Sequence, residues 1–210
     1  MILPWLILIP FIGGLLCWLG ERFGATLPRW IALLTMSLLL GIGLWLWANG
    51  DYTLAPAPGA EPHWAAEFKF LWIERFGISV HLALDGLSLL MILLTGLLGV
   101  LSVLCSWKEI QRHVGFFHLN LMWILGGVVG VFLALDLFLF FFFWEMMLVP
   151  MYFLIALWGH SGSDGRTRIT AATKFFIFTQ ASGLIMLVSI LALVFVHFNQ
   201  TGVLSFNYAD

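Results

Sequence analysis

An acidic residue lies near the middle of a long apolar segment of this 210-residue chain. Glu145 directly follows four phenylalanines and a tryptophan, within a segment that runs from Asp136 to Trp158. As an α-helix this segment would be about 34 Å long, which is enough to cross a lipid bilayer. An ionisable group at that depth costs about 2.5–3.5 kcal/mol on insertion scales. Glu145 therefore predicts a proton or ion site facing the interior of a helix bundle; the alternative is an acid that only pairs with a structural cation.

Two neighbours of Glu145 favour proton transfer. Pro150 lacks the amide that would bond the carbonyl of Met146, so the helix should loosen one turn from the acid. A freed carbonyl at that point could hold water or a cation. Tyr152 follows seven residues after the acid, which puts both side chains on one helix face. Glu145, water and Tyr152 could thus form one hydrogen-bonded chain.

A cation lies about one turn inside a later apolar segment. Lys174 belongs to the sequence 170–179, near the start of a span that we place at 170–197. In a membrane interior the neutral carboxyl is favoured, whereas a nearby cation favours the charged form, so a movable cation could control a buried acid. Because Glu145 is nearer mid-membrane, water is the expected link between the two. The alternative is a lysine that extends its stem to the membrane surface.

Two further residues are candidate access points for protons. His160 follows Trp158-Gly159 at the end of the Glu145 span, and imidazole exchanges protons near neutral pH. Asp136 lies at the opposite end of the same span. The alternatives are an interfacial histidine without a role and an aspartate that only caps a helix.

The composition is that of an integral membrane protein, with 62% hydrophobic and 10% charged residues, against about 25% charged in soluble domains. A net charge of −2 gives no basic surface for nucleic acid. Cys17 and Cys105 are isolated in apolar segments, which indicates buried hydrophobes. Two imidazoles at matching depth, as a membrane haem requires, are not evident. No nucleotide or metal-hydrolase motif is present.

Six membrane spans position these groups. The segment 1–19 lacks the basic start and cleavage site of a signal peptide, so we interpret it as the first span. Basic residues concentrate in alternate loops, which by the positive-inside rule places those loops inside and both chain ends outside. These basic residues are Arg22, Arg29, Lys108, Arg112, Arg166 and Arg168. The expected spans are 2–19, 29–48, 82–106, 114–134, 136–158 and 170–197.

The long loop between the second and third spans has two parts. Residues 49–63 contain three prolines and are expected to be irregular. Large apolar residues then alternate at 68, 70 and 72 and again at 78, 80 and 82, which predicts a β-hairpin on the outer membrane face. Asp85 is placed to cap the third span. In the fourth, the glycines of the sequence 126–130 predict close packing of helix backbones.

Three stretches of the chain resemble the antiporter-like, proton-translocating subunits of respiratory complex I, which also occur in multisubunit cation/proton antiporters and membrane-bound hydrogenases. These stretches are 142–159, 171–179 and 84–88, and the combination of Trp144, Glu145 and Pro150 is the most specific. The resemblance covers essentially the whole chain and implies an all-α polytopic membrane protein, part of a fourteen-helix fold with two inverted five-helix repeats.

The resemblance also implies a mechanism. The glutamate matching Glu145 would pair with a lysine on a broken seventh helix, and Lys174 matches a lysine found in relatives. Because the chain stops at Asp210, after six spans, we expect an N-terminal fragment that lacks the broken helix and the second repeat. We divide it into an N-terminal helical hairpin with its outer loop, 1–81, and the start of the proton-translocating module, 82–210.

The function expected from the resemblance is that of a membrane-arm subunit of a bacterial NADH:quinone oxidoreductase in the inner membrane. It would couple electron transfer to proton translocation without redox chemistry of its own. NADH, FMN, iron–sulfur clusters and quinone would be held by other subunits, and the partners would be other membrane subunits and the lipid bilayer. The alternatives are a subunit of a multisubunit cation/proton antiporter and a non-catalytic packing subunit, against which Glu145 argues.

Overall fold

The computed structural model describes residues 2–50, 64–160 and 167–208 of the chain. This part contains seven α-helices, one antiparallel hairpin of two β-strands and two short 3-10 turns, Glu21–Phe23 and Glu74–Phe76. In chain order the elements are α1 (Leu3–Gly20), α2 (Thr26–Asn49), β1 (Ala66–Ile73), β2 (Ile78–Leu84), α3 (Gly86–Glu109), α4 (Val114–Leu133), α5 (Leu137–Met146), α6 (Leu148–Trp158) and α7 (Arg168–Thr201).

Six spans are long and apolar enough to cross a membrane, which confirms the predicted fold class. The fifth span, Leu137–Trp158, consists of α5 and α6 together, with a break at Met147. This break lies within one turn of Pro150, which supplies no amide hydrogen to the helix. The predicted start of the third span at 82 is wrong, because residues 82–84 belong to β2 and α3 begins at Gly86.

The predicted hairpin is confirmed, with Phe68 paired to Leu82 and Phe70 to Val80. Its turn ends at Gly77, whose φ of 66° is in the left-handed region. A Cβ at this glycine would also collide with the backbone carbonyl of Leu204, so both space and backbone conformation require glycine here. Of the segment expected to be irregular, residues 51–63 lie outside the described part.

The centre of the bundle is α4, which contacts α1, α2, α3, α5 and α6. Its glycines allow close approach on two sides, as the sequence predicted. A Cβ at Gly126 would lie 3.2 Å from the ring of Phe11 on α1, while one at Gly130 would overlap the ring of Phe143 on α5. The division of the chain into 1–81 and 82–210 stays a prediction.

The two ends of the bundle differ in chemistry. At one, which we name the basic end, Arg29 donates a 2.8 Å hydrogen bond to the carbonyl of Ile110, and Trp158 donates one of 3.0 Å to the carbonyl of Arg112. The loops predicted to share a side therefore do meet at one end. The other end, the hairpin end, holds β1, β2 and the bridge between Asp136 and Asn207. Which end faces the cell interior stays a prediction.

Candidate functional site

Glu145 lies in the last turn of α5 and is half-buried. Its carboxyl group rests against the backbone of α7 at Gly183, where an added Cβ would overlap the Oε1 atom of the acid. Gly183 is itself buried. Glu145 therefore points between two helices of the bundle. Within the described residues, neither of its oxygens has a hydrogen-bond or ion-pair partner.

A second contact between the same helices lies towards the basic end. The ring of Tyr152 on α6 meets the ring of Phe176 on α7 edge to face, with centroids 5.9 Å apart. The two contacts lie seven residues apart on each helix, at positions 145 and 152 on one and at 183 and 176 on the other. Two antiparallel helices with a common contact face give this spacing. Glu145 and Tyr152 thus share a face, as predicted, and we name the contact between α5–α6 and α7 the acid seam.

The opposite side of α5 is packed into α4. Phe143 is 8% exposed and its ring fills the space beside Gly130. Met147 occupies the corresponding place beside Gly127. Each of these residues is two positions from Glu145, a rotation of about 200° around the helix. Consequently α5 lies between two helices, with its apolar side chains in glycine notches of α4 and its acid in a glycine notch of α7.

Lys174 is not brought to Glu145. It lies nine residues before Gly183 on α7, which places it about 13 Å nearer the basic end and about 180° around the helix. Lys174 is exposed. The four buried residues of α7 are 11, 7 and 4 positions apart, so they all lie on the helix face opposite Lys174. These residues are Ala172, Gly183, Ile190 and Val194. A direct ion pair of Lys174 with Glu145 is thus excluded in this arrangement.

His160 is exposed at the basic end, where it borders a cleft of about 510 Å³ that Glu109, Arg112 and Arg168 also line. Fifteen residues separate it from Glu145, an axial distance of about 22 Å for a continuous helix. The candidate access point and the acid therefore lie far apart along the same span.

Asp136 is at the hairpin end and is completely buried. Its Oδ1 accepts hydrogen bonds from the amides of Phe138 (2.9 Å) and Leu139 (3.0 Å), which caps α5. Its Oδ2 accepts from the amide of Ser79 at 2.9 Å and the hydroxyl at 3.3 Å, which ties the cap to β2. These contacts fit the alternative interpretation of Asp136 as a structural cap. Its role as an access point stays a prediction.

The structure also brings forward residues that the sequence did not single out. Gly183 could not be recognised from the sequence as part of the site, because glycine is common in membrane helices. His118 on α4 is completely buried and its Nδ1 donates to the carbonyl of Val114 at 2.8 Å. In the described chain, His118 Nε2 and Arg29 Nε are buried without a hydrogen-bond partner.

Comparison with known proteins gives a consistent result. Residues 134–210 match the family described as NADH:quinone oxidoreductase/Mrp antiporter, transmembrane. NADH-quinone oxidoreductase subunit M of Pseudomonas aeruginosa is 78% identical to the chain over 210 residues, and that of Escherichia coli (strain K12) is 73% identical. These matches cover the whole chain but only 41% of either relative.

Among solved structures, respiratory complex I from Thermus thermophilus contains a chain with the same fold. The two superpose with a TM-score of 0.72 and are 26% identical in sequence. The match covers 99% of the present chain and 38% of the Thermus chain. The helical arrangement described above therefore corresponds to less than half of the Thermus chain.

Proposed function

We propose that this chain belongs to the NADH:quinone oxidoreductase/Mrp antiporter transmembrane family, which its residues 134–210 match, and that it is part of a membrane subunit that moves protons. In this proposal the subunit lies in the membrane arm of a bacterial NADH:quinone oxidoreductase. The high identity to two subunits of that name supports this choice of complex.

The observation that carries the proposal is the environment of Glu145. An ionisable group inside a membrane span is costly and is a functional site by default. This half-buried carboxyl lies against α7 at Gly183, and its oxygens have no hydrogen-bond or ion-pair partner in the described part of the chain. We infer that this carboxyl group is the one that carries the transferred proton.

The remaining groups supply a route along the acid seam. Glu145 acts as the switchable carboxylate, and Tyr152 lies on the same face about 10 Å nearer the basic end. Lys174 is a relay cation that acts through water and through its electric field, since it lies on the other face of α7. His160 is an access point for protons at the basic end, and Asp136 is the weaker candidate at the hairpin end.

Redox chemistry belongs to other subunits in this proposal. NADH, FMN, iron–sulfur clusters and quinone are bound elsewhere, and partner membrane subunits transmit the energy of electron transfer to this chain. It reaches Glu145 as a change in the local electric field, which shifts the balance between the protonated and ionised acid. The basic end faces the cytoplasm, so that the N-terminus of this multi-pass inner-membrane protein lies outside.

A second candidate function is that of a cation/proton antiporter subunit, because the matched family includes Mrp antiporters. The same buried acid would then exchange protons against a sodium gradient. Proton movement that follows NADH oxidation and not an imposed sodium gradient supports the first function; the reverse supports the antiporter.

The experiment that tests the proposal replaces Glu145 by glutamine in the full-length subunit in its native membranes. Glutamine is close in size but cannot carry a proton, so we expect NADH-driven proton pumping into inverted vesicles to fall about tenfold or more. The matched control is Glu74→Gln, the same chemical change at an exposed turn of the hairpin. Unchanged pumping in E145Q, with normal NADH:quinone activity, would reject the proposed role.

A further inference from the structure

Gly183 occupies a position on α7 that the backbone conformation does not explain. It lies in the interior of a 34-residue helix, with helical dihedral angles that any residue could adopt. Glycine in such a position destabilises a helix by about 0.5–1 kcal/mol relative to alanine. A glycine inside a helix can make room for a neighbouring group. The reason here is space, because the buried Gly183 faces the carboxyl group of Glu145.

An added methyl group at this position would meet the acid and little else. The ideal Cβ would overlap Oε1 of Glu145, and it would lie 3.1 Å from the Cδ atom and 3.8 Å from Oε2. These are the three nearest heavy atoms to that position. The notch at Gly183 is therefore filled by one functional group, the carboxyl of Glu145.

A movement of α5 away from α7 cannot remove the overlap between an added Cβ at position 183 and the carboxyl group of Glu145. On the far side of α5, Phe143 and Met147 already fill the notches at Gly130 and Gly127 of α4. Protein interiors are close-packed, so a displacement of α5 would press these side chains into the α4 backbone. A methyl group at Gly183 would thus have to be accommodated by the Glu145 side chain itself.

We propose that Gly183 is a positioning residue for Glu145: its missing side chain lets the carboxyl group lie against the α7 backbone within the acid seam. In this position the acid is in line with Tyr152, and Thr179 is the next residue along the same face of α7, one turn away. The notch fixes the place of the carboxyl without offering a side-chain donor that would lock its charged form. This inference rests on the proposed function of Glu145.

The test is Gly183→Ala in the full-length subunit in its native membranes. A displacement of a reacting group by about 1 Å can reduce a rate about a hundredfold, so we expect NADH-driven pumping to fall about tenfold or more. The matched control is Gly41→Ala on α2, a helical glycine with no atom within 4 Å of the added Cβ. We expect G41A to pump like the unchanged protein.

Whether the effect of G183A depends on Glu145 distinguishes a positioning role of Gly183 from a role in general helix packing. Glu145→Asp shortens the side chain by one methylene and removes the overlap, so adding G183A to E145D should cause no further loss of pumping. If G183A alone prevents accumulation of the subunit, accumulation is compared with that of G183A/E145A. The double variant should then recover, because the colliding carboxyl is absent.

The outcomes of these measurements distinguish the two proposals. Pumping by G183A equal to that of G41A, while E145Q is defective, overturns the inference and leaves the proposed function standing. An equal additional loss from G183A in the E145D background, or no recovery of accumulation in G183A/E145A, also overturns it. Normal pumping by E145Q removes the proposed function itself.

Discussion

Asp136 directly precedes the fifth span as the N-terminal cap of α5, and Glu145 lies nine residues later in the last turn of the same helix. Asp136 is fully buried at the hairpin end and accepts hydrogen bonds from three amides and a hydroxyl. Glu145 is half-buried in the acid seam and its oxygens have no such partners among the described residues. The same functional group thus has two very different environments within a short distance.

The difference indicates which acid is suited to proton transfer. Several donors that point at a carboxylate stabilise its ionised form and hold it in one position. The donors of the α5 cap and of β2 hold the Asp136 carboxyl in this way. A carboxyl that lies against bare backbone can change its charge without loss of fixed contacts. From this comparison we propose a structural role for Asp136 and a proton-transfer role for Glu145.

The largest expected effect comes from Asp136→Ala. It leaves the amides of Ser79, Phe138 and Leu139 without their acceptor, and we expect a loss of about 2–5 kcal/mol in stability. The measurement is thermal unfolding of the purified complex together with the amount of subunit in membranes. As a control, Asp136→Asn retains one acceptor oxygen and should be less destabilised. A variant D136A that is stable but fails to pump would instead make Asp136 an access point.

A smaller effect is expected from Lys174→Met, which removes the charge but keeps the length of the side chain. The offset along α7 alone separates Lys174 from the level of Glu145 by about 13 Å, so at an effective dielectric constant of about 20 the two charges interact by about 1 kcal/mol at most. We therefore expect a severalfold loss of NADH-driven pumping, well short of the effect of E145Q. Lys69→Met, at an exposed position of the hairpin, is the matched control. A loss as large as that of E145Q would show that Lys174 contacts the transferred proton directly.

The smallest effect is expected from Glu67→Gln. Glu67 Oε1 lies 2.7 Å from Nε2 of His81, and the Glu67 side chain is 48% exposed. Ion pairs open to solvent contribute about 0–1 kcal/mol, so thermal stability should fall by less than about 1 kcal/mol. The same measurement on Glu74→Gln provides the baseline. A decrease as large as that of D136A would mean that the difference in burial between Asp136 and Glu67 does not determine how much each acid stabilises the protein.

Much of the fold could be predicted because each span and strand is defined by its own residues. Runs of apolar residues gave the spans, the alternation around Phe70 and Val80 gave the hairpin, and Asp85 was correctly placed as a cap, since its Oδ1 accepts from the amide of Ser88 at 2.7 Å. Glu145 was identified by its cost in an apolar segment. The start of α3 was placed too early because the apolar residues at the end of β2, directly before the Asp85 cap, were counted with the span.

The candidate site was only partly predictable, because its geometry depends on which helix faces come together. The position of Lys174 away from the acid follows from helical phase, but only once Gly183 is known to face Glu145. The close approach at Gly130 was expected from spacing, whereas the identity of its partner, Phe143, was not. Packing between helices involves residues distant in the chain, and one sequence does not specify those pairs.

The amino-acid sequence by itself determined that six spans in the described part of the chain are long and apolar enough to cross a membrane and that one of them carries an acid. These properties follow from the free energy of transferring each segment into lipid, which is a sum over neighbouring residues. The tertiary structure decided that this acid lies in a glycine notch of α7 and that Asp136 is tied to β2. Those contacts depend on lateral packing and on hydrogen bonds between separate elements, and they exist only when the elements are assembled.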